Sequence, residues 1–159
     1  MENYSNKAEI DRVYKELSVR ADEVYKFVIR YSEYINTPRD YGTGEMIGMV
    51  EVHILTMIAD NPGITVTEAS KLWGRTLGAV SQTVSKLVKR ELITREKEKG
   101  NAKTIHLYAT ERGQQLATAH KIFDNLDITE TLHDLLQKCS LEEIDTFYKV
   151  LHVYNELLV

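Results

Sequence analysis

The stretch ITVTEASKLWGRTLGAVSQTVSKLVKRELI, residues 64–93, constrains the fold more than any other part of the chain, because its start and stop signals are dense and follow one another at close range. Thr65 and Glu68 have capping-box spacing, in which each side chain satisfies a backbone donor that a helix start leaves unpaired. A short helix through Leu72 follows, and Gly74 suits the left-handed residue that closes it. Thr76 then caps a second helix that the periodicity carries to about Glu91. Two short helices joined by a tight turn result. In the second, Val80, Val84, Leu87 and Val88 form the buried stripe, whereas Gly78, Ala79, Ser81, Gln82, Ser85, Lys86 and Lys89 fall largely outside it.

The flanks are read the same way. From Ile10 to Ile35 the residues Ile10, Tyr14, Leu17, Ala21, Val24, Val28, Tyr31 and Ile35 recur at steps of four and three, which predicts one long amphipathic helix. Pro38, Gly42 and Gly44 end it, and a second apolar helix is predicted from near Glu45 to Asp60. Beyond the two short helices, residues 92–96 and 104–108 predict a β-hairpin around a basic turn at 99–103. Leu116, Phe123, Leu126 and Leu132 predict a long helix, with a kink expected near 125–127. Ser140 and Glu143 repeat the capping-box spacing ahead of a final helix carrying Leu141, Ile144, Tyr148, Leu151 and Leu158. The expected class is mainly α with a small β-hairpin.

Charge is unevenly placed. The 159 residues carry 20 Lys or Arg and 24 Asp or Glu, a net of -4. Residues 65–108 hold nine of the bases against four acids, a balance of +5, which leaves -9 for the remainder. A polyanion is drawn to such a segment and repelled elsewhere, the footprint expected of duplex binding. Small side chains at the front of the second short helix let it enter a major groove about 12 Å wide. Gly78, Ala79, Ser81, Gln82, Ser85 and Lys86 are the candidate base contacts. Gln82 has the amide for a bidentate pair with adenine. Arg75, Thr76, Lys89, Arg95, Lys97, Lys99, Asn101 and Lys103 are the candidate phosphate and wing contacts, which fix register without reading sequence.

These residues in this order resemble the MarR family of bacterial transcription regulators. Gly74 stands at the turn, Val80-Ser81-Gln82 in the recognition helix, Leu92-Ile93 at the entry to the wing, and Thr110-Glu111-Arg112-Gly113 at the opening of the long helix after it. The resemblance spans essentially the whole chain. It implies a winged helix-turn-helix lobe, residues 45–113, flanked by dimerisation helices in 1–40 and 114–159, with two copies intertwined on a palindromic DNA operator. The apolar seam of the first helix and Leu151, Tyr154, Leu157 and Leu158 independently call for a partner, since a monomer exposes them. The wing departs from the family pattern: Asn101, Ala102 and Lys103 stand where relatives carry an acid and arginines, and lysine lacks the planar fork suited to a minor groove.

The resemblance also implies a small aromatic or amphipathic effector near Tyr31, Tyr34, Met46, Met49, His53 and Met57. Ordinary core packing with methionines filling gaps accounts for the same residues. The functional expectation is a ligand-responsive repressor. A dimeric protein-interaction module and a zinc-sensing regulator of the same fold are the alternatives, the latter through Glu51, His53 and His120 meeting between helices. Catalysis is not expected. The glycine cluster Gly42-Thr43-Gly44 with Gly48 follows no strand and reads as a helix connection, and no catalytic residue, cofactor or dedicated metal set is assigned. Cys139 is the only cysteine and reads as a structural thiol, consistent with a reducing compartment. The polar, acidic start lacks a secretory pattern and the apolar run at 47–59 is too short to span a bilayer, so a cytoplasmic location without membrane contact is expected.

Overall fold

The computed structural model describes residues 6–98 and 101–158, without the side chains of residues 98 and 101–103. Its order is α1 (Lys7–Asn36), β1 (Arg39–Asp40), β2 (Met46–Ile47), α2 (Met49–Asp60), β3 (Ile64–Thr65), α3 (Val66–Trp73), α4 (Leu77–Lys89), β4 (Ile93–Glu98), β5 (Asn101–Ala109), α5 (Glu111–Leu136) and α6 (Leu141–Leu157). The mainly helical class with a small antiparallel hairpin is as expected. No described helix is long and apolar enough to cross a membrane.

Local signals set most boundaries. Asn6 caps α1 by accepting the N–H of Glu9, and Thr65 and Ser140 make full capping boxes with Glu68 and Glu143. Both short helices close the same way. Gly74 is left-handed at φ +63°, with Arg75 N–H on Ser70 O and Gly74 N–H on Lys71 O. Glu91 takes that position after α4 at φ +59°, with Leu92 N–H on Leu87 O and Glu91 N–H on Val88 O. This closure ends α4 at Lys89, two residues before the predicted stop.

Four further features differ from the sequence reading. The second helix starts at Met49, not near Glu45, because Asp40 Oδ1 accepts the N–H groups of Gly42, Thr43 and Gly44 and folds the connection into the β1–β2 ladder. A third strand, β3, joins the wing in the order β3-β5-β4, pairing Ile64 with Leu107 and Thr65 with His106. A two-residue strand has no periodicity to announce it. Residues 101–103, expected in a turn, belong to β5, and the expected kink does not interrupt α5, which runs unbroken.

α2 is the centre of the molecule. Val52, Ile54, Leu55 and Ile58 are fully buried in a cluster with Val80, Val84 and Leu87 of α4, Leu107 of β5, and Leu116 and Ala117 of α5. Each such side chain contributes about 1.5 to 3 kcal/mol of apolar burial. Gly113 lets α5 enter: a Cβ there would lie 2.0 Å from Leu92 O. α1 and α6 differ from the rest. α1 buries no residue and α6 buries only Ile144, so Ile10, Leu17, Val28, Tyr148, Tyr154 and Leu158 remain exposed.

Candidate nucleic-acid interface

The outer surface of α4 is open. Gly78, Ala79, Gln82, Lys86 and Lys89 are exposed, and Ser81 and Ser85 are half-buried. Thr76 is committed to the helix start, its Oγ1 accepting the N–H of Ala79 at 3.3 Å. Ser85 donates to Ser81 O at 2.8 Å and accepts from Arg95 Nη2 at 2.9 Å, so the wing is tied to the middle of α4. Gln82 is exposed and makes no hydrogen bond to any described residue, so its amide donor and acceptor are both open to an outside partner. Exposed Arg75 lies at the turn before α4, and exposed Arg95 and Lys97 lie on β4. Lys99 and the side chains of Asn101 and Lys103 lie outside the described residues.

Three basic residues near the interface pair with carboxylates of the protein itself. Arg90, at the C-cap of α4, donates to Glu45 Oε1 from Nε at 2.9 Å and from Nη2 at 2.7 Å, to Glu51 Oε2 from Nη1 at 3.0 Å, and to Met46 O at 2.6 Å. Arg112 at the start of α5 also pairs with Glu45. Lys86 Nζ lies 3.2 Å from Glu51 Oε1 while its side chain stays 66% exposed, so that pair is weak and screened by water. Arg90 is therefore a strut between α4 and the β2–α2 corner, and among the described residues of the candidate interface the positive charge without a carboxylate partner is that of Arg75, Lys89, Arg95 and Lys97. Charge counting along the chain does not reveal this, because Glu45 and Glu51 lie outside the basic segment.

The six residues proposed around an effector divide into two groups. Tyr31 and Tyr34 stack at 5.9 Å and line a shallow cavity on α1 with Glu23, Lys26, Phe27 and Arg30. Arg39 lies 3.8 Å over the Tyr34 ring, and the Tyr34 hydroxyl donates to Asp127 Oδ2 at 2.6 Å. Burial first, then that bond, pushes the Tyr34 phenol up to about 12. Met46 is exposed on β2, and Met49, His53 and Met57 are half-buried on α2; these four do not line the cavity.

His53 belongs to another cluster. Its ring lies 5.5 Å from Trp73, which packs half-buried against the core, and 4.6 Å from buried His120. His120 Nδ1 meets Thr56 Oγ1 at 3.0 Å, and its Nε2 stands 3.1 Å from Asp124 Oδ2 without hydrogen-bond geometry. Burial pushes the His120 pKa down, Asp124 opposes this, and His53 adds to the lowering. His53, His120 and Asp124 each bring a ligand atom within 4.8 Å of the others. Glu51 does not join them, which corrects the expected trio: its carboxylate is held by Arg90 and Lys86. The sequence reading named Glu51 as the carboxylate instead of Asp124, although the position of Asp124 four residues after His120 on one helix face was readable.

Comparison with known proteins bears on the same segment. Residues 47–103 match the family model described as MarR family. An HTH-type transcriptional regulator of Bacillus subtilis (strain 168), YhjH, is 27% identical over 84 residues, 53% of this chain and 48% of that protein. The chain thus spans about half the length of the curated relative it matches. Among solved structures, Streptococcus pneumoniae FabT in complex with DNA is similar with a TM-score of 0.61 at 23% identity, covering 91% of this chain and 96% of that one. The zinc-responsive MarR family member ZitR of Lactococcus lactis is similar with a TM-score of 0.68 at 18% identity, covering 90% of this chain and 99% of that one. The long flanking helices, the open α4 and the three-stranded wing thus share the fold of these solved regulators, and residues 47–103 are the segment that matches the MarR family model.

Proposed function

We propose that the chain is a sequence-specific duplex-DNA-binding transcription regulator, a ligand-responsive repressor that acts as a homodimer on a palindromic operator. The observation that carries this is the open front of α4: Gln82 is exposed with its amide unengaged, between free cations on the turn and on the wing. α4 supplies base contacts from Gly78, Ala79, Ser81, Gln82, Ser85 and Lys86, and Arg75, Lys89, Arg95 and Lys97 hold phosphates. The complexes of FabT and of ZitR with DNA support this use of the fold. α1, the distal part of α5 and α6 form the dimer, supported by the apolar side chains they leave exposed. Two half-sites about one helical turn apart follow from a two-fold axis.

Selection of bound sequences from random duplexes tests this directly. A two-fold symmetric consensus, with affinity that falls steeply as salt rises, is the expected result. Retention of no duplex at low salt overturns the reading and favours a protein-interaction module.

The cluster of His53, His120 and Asp124 favours a second reading, in which the regulating ligand is zinc. Two imidazoles and a carboxylate are a zinc donor set, Thr56 orients His120, and buried Nε2 is left without a hydrogen bond. The zinc response of ZitR supports it. Zinc titration read by Trp73 fluorescence, with DNA affinity measured alongside, is the test. A fluorescence change that His53→Ala and Asp124→Ala abolish, together with altered DNA affinity, is expected. DNA affinity indifferent to zinc removes this reading and leaves the first intact.

A further inference from the structure

The first turn of α4 is apolar where it meets solvent. Leu77, Gly78 and Ala79 are exposed in succession, Leu77 by 52%. None of their side chains has a hydrogen-bonding atom, and Thr76 before them is engaged with the N–H of Ala79. Internal packing does not ask for this composition. A Cβ on Gly78 would meet nothing within 4 Å, and its φ is not among the positive values. Glycine is a poorer helix former than alanine, so the fold alone gains from a side chain there. The missing atoms leave room for something outside the chain.

Within the major groove, the 5-methyl group of thymine is the one apolar group on a base edge; guanine, adenine and cytosine offer donors and acceptors that these three side chains cannot meet. Backbone N–H groups at a helix start suit a phosphate in any sequence and do not discriminate. We infer that Leu77, Gly78 and Ala79 form a seat for a thymine methyl, so that each half-site carries a thymine read by shape. The inference rests on the duplex-binding reading and names the base that the tip of α4 selects. Gln82 stands four residues beyond Gly78 on the same ridge of the helix, placed for the neighbouring base pair.

The experiment begins with the consensus duplex from selection. Each of its thymines in one half-site is replaced singly by deoxyuridine, which deletes the methyl and keeps the base pair. Affinity is read by fluorescence anisotropy at fixed salt. One position is expected to lose about fourfold on wild-type protein, the effect of burying one methyl group. Leu77→Ala is expected to cut that difference below about twofold by removing a wall of the seat. Gly78→Ala is expected to weaken binding to both duplexes while its melting temperature holds or rises. Indifference of wild-type protein to every deoxyuridine overturns the seat and leaves duplex binding standing. A full thymine preference retained by Leu77→Ala also overturns it. Failure of any duplex to be retained in the selection overturns duplex binding itself, so the two failures are distinct.

Discussion

Glu45 accepts two hydrogen bonds from Arg90, at 2.9 and 2.7 Å, across a separation of 45 residues. The carboxylate is 12% exposed and the guanidinium 27%, so the pair is partly withdrawn from water, and Arg90 also reaches Glu51. It holds the end of α4 against the chain entering β2 and, through Glu51, against the first turn of α2. Charge-assisted bonds of this kind contribute about 1.5 to 3 kcal/mol each when a partner is not simply replaced by water. Glu45→Gln is expected to lower the unfolding free energy by about 1 to 3 kcal/mol, measured by denaturant titration.

Arg90 and its neighbour Lys89 are expected to behave differently on DNA. Lys89→Ala should weaken binding to all sequences and reduce the salt slope by about 1, as loss of one phosphate contact does. Arg90→Ala should lower stability and leave that slope unchanged. Affinity measured across a salt series distinguishes them, and a slope reduced by the Arg90 variant counts against its assignment as an internal strut.

Gln82→Ala is expected to relax base preference at one position per half-site by about 1 to 3 kcal/mol, with little loss on random DNA. Competition between consensus and single-substituted duplexes measures it. Equal losses on specific and random sequence contradict a base-reading role.

Gly113→Ala places a Cβ against Leu92 O, where the separation of 2.0 Å is far inside contact distance. α5 must back away from the wing, at a cost of about 3 kcal/mol typical of overpacking. Glu91→Gly acts in the opposite direction: φ at +59° strains a residue with a Cβ, so relief of about 1 kcal/mol is expected. Thermal melts of both variants, compared with the parent, test the pair of signs.

Buried His120 links stability to pH. Its pKa is pushed below the ordinary 6.5 by burial, so the folded state binds fewer protons than the unfolded chain in that range. The contribution is present above pH 6.5 and is lost as pH falls through the lowered value. Denaturant titrations between pH 8 and about 5 should show stability falling at the acid end, and His120→Asn should flatten that dependence. A slope unaffected by the substitution assigns the loss to other groups.

The legible parts of this protein are those governed by nearby residues. Thr65 with Glu68 and Ser140 with Glu143 act over three positions, and Gly74 closes its helix with bonds to Ser70 and Lys71, so composition and spacing alone locate them. The buried stripe of α4 follows from the helical repeat in the same way, as Val80, Val84 and Leu87 show. β3 was not legible because it exists only through pairing with β5, and the start of α2 was displaced by an Asp40 turn whose glycines read equally well as a plain connection.

What the sequence determined by itself is where helices begin and end, which faces are apolar, and that positive charge is concentrated in one segment, since each is settled within a few residues of chain. What only the tertiary structure decided is which polar groups meet. Packing of α2 against α4 and α5 brings Arg90 to Glu45 and His53 to His120 and Asp124, and it leaves Gln82 and Lys89 facing outward. A charge interacts with whatever the core brings close, and the distance along the chain carries no information about that.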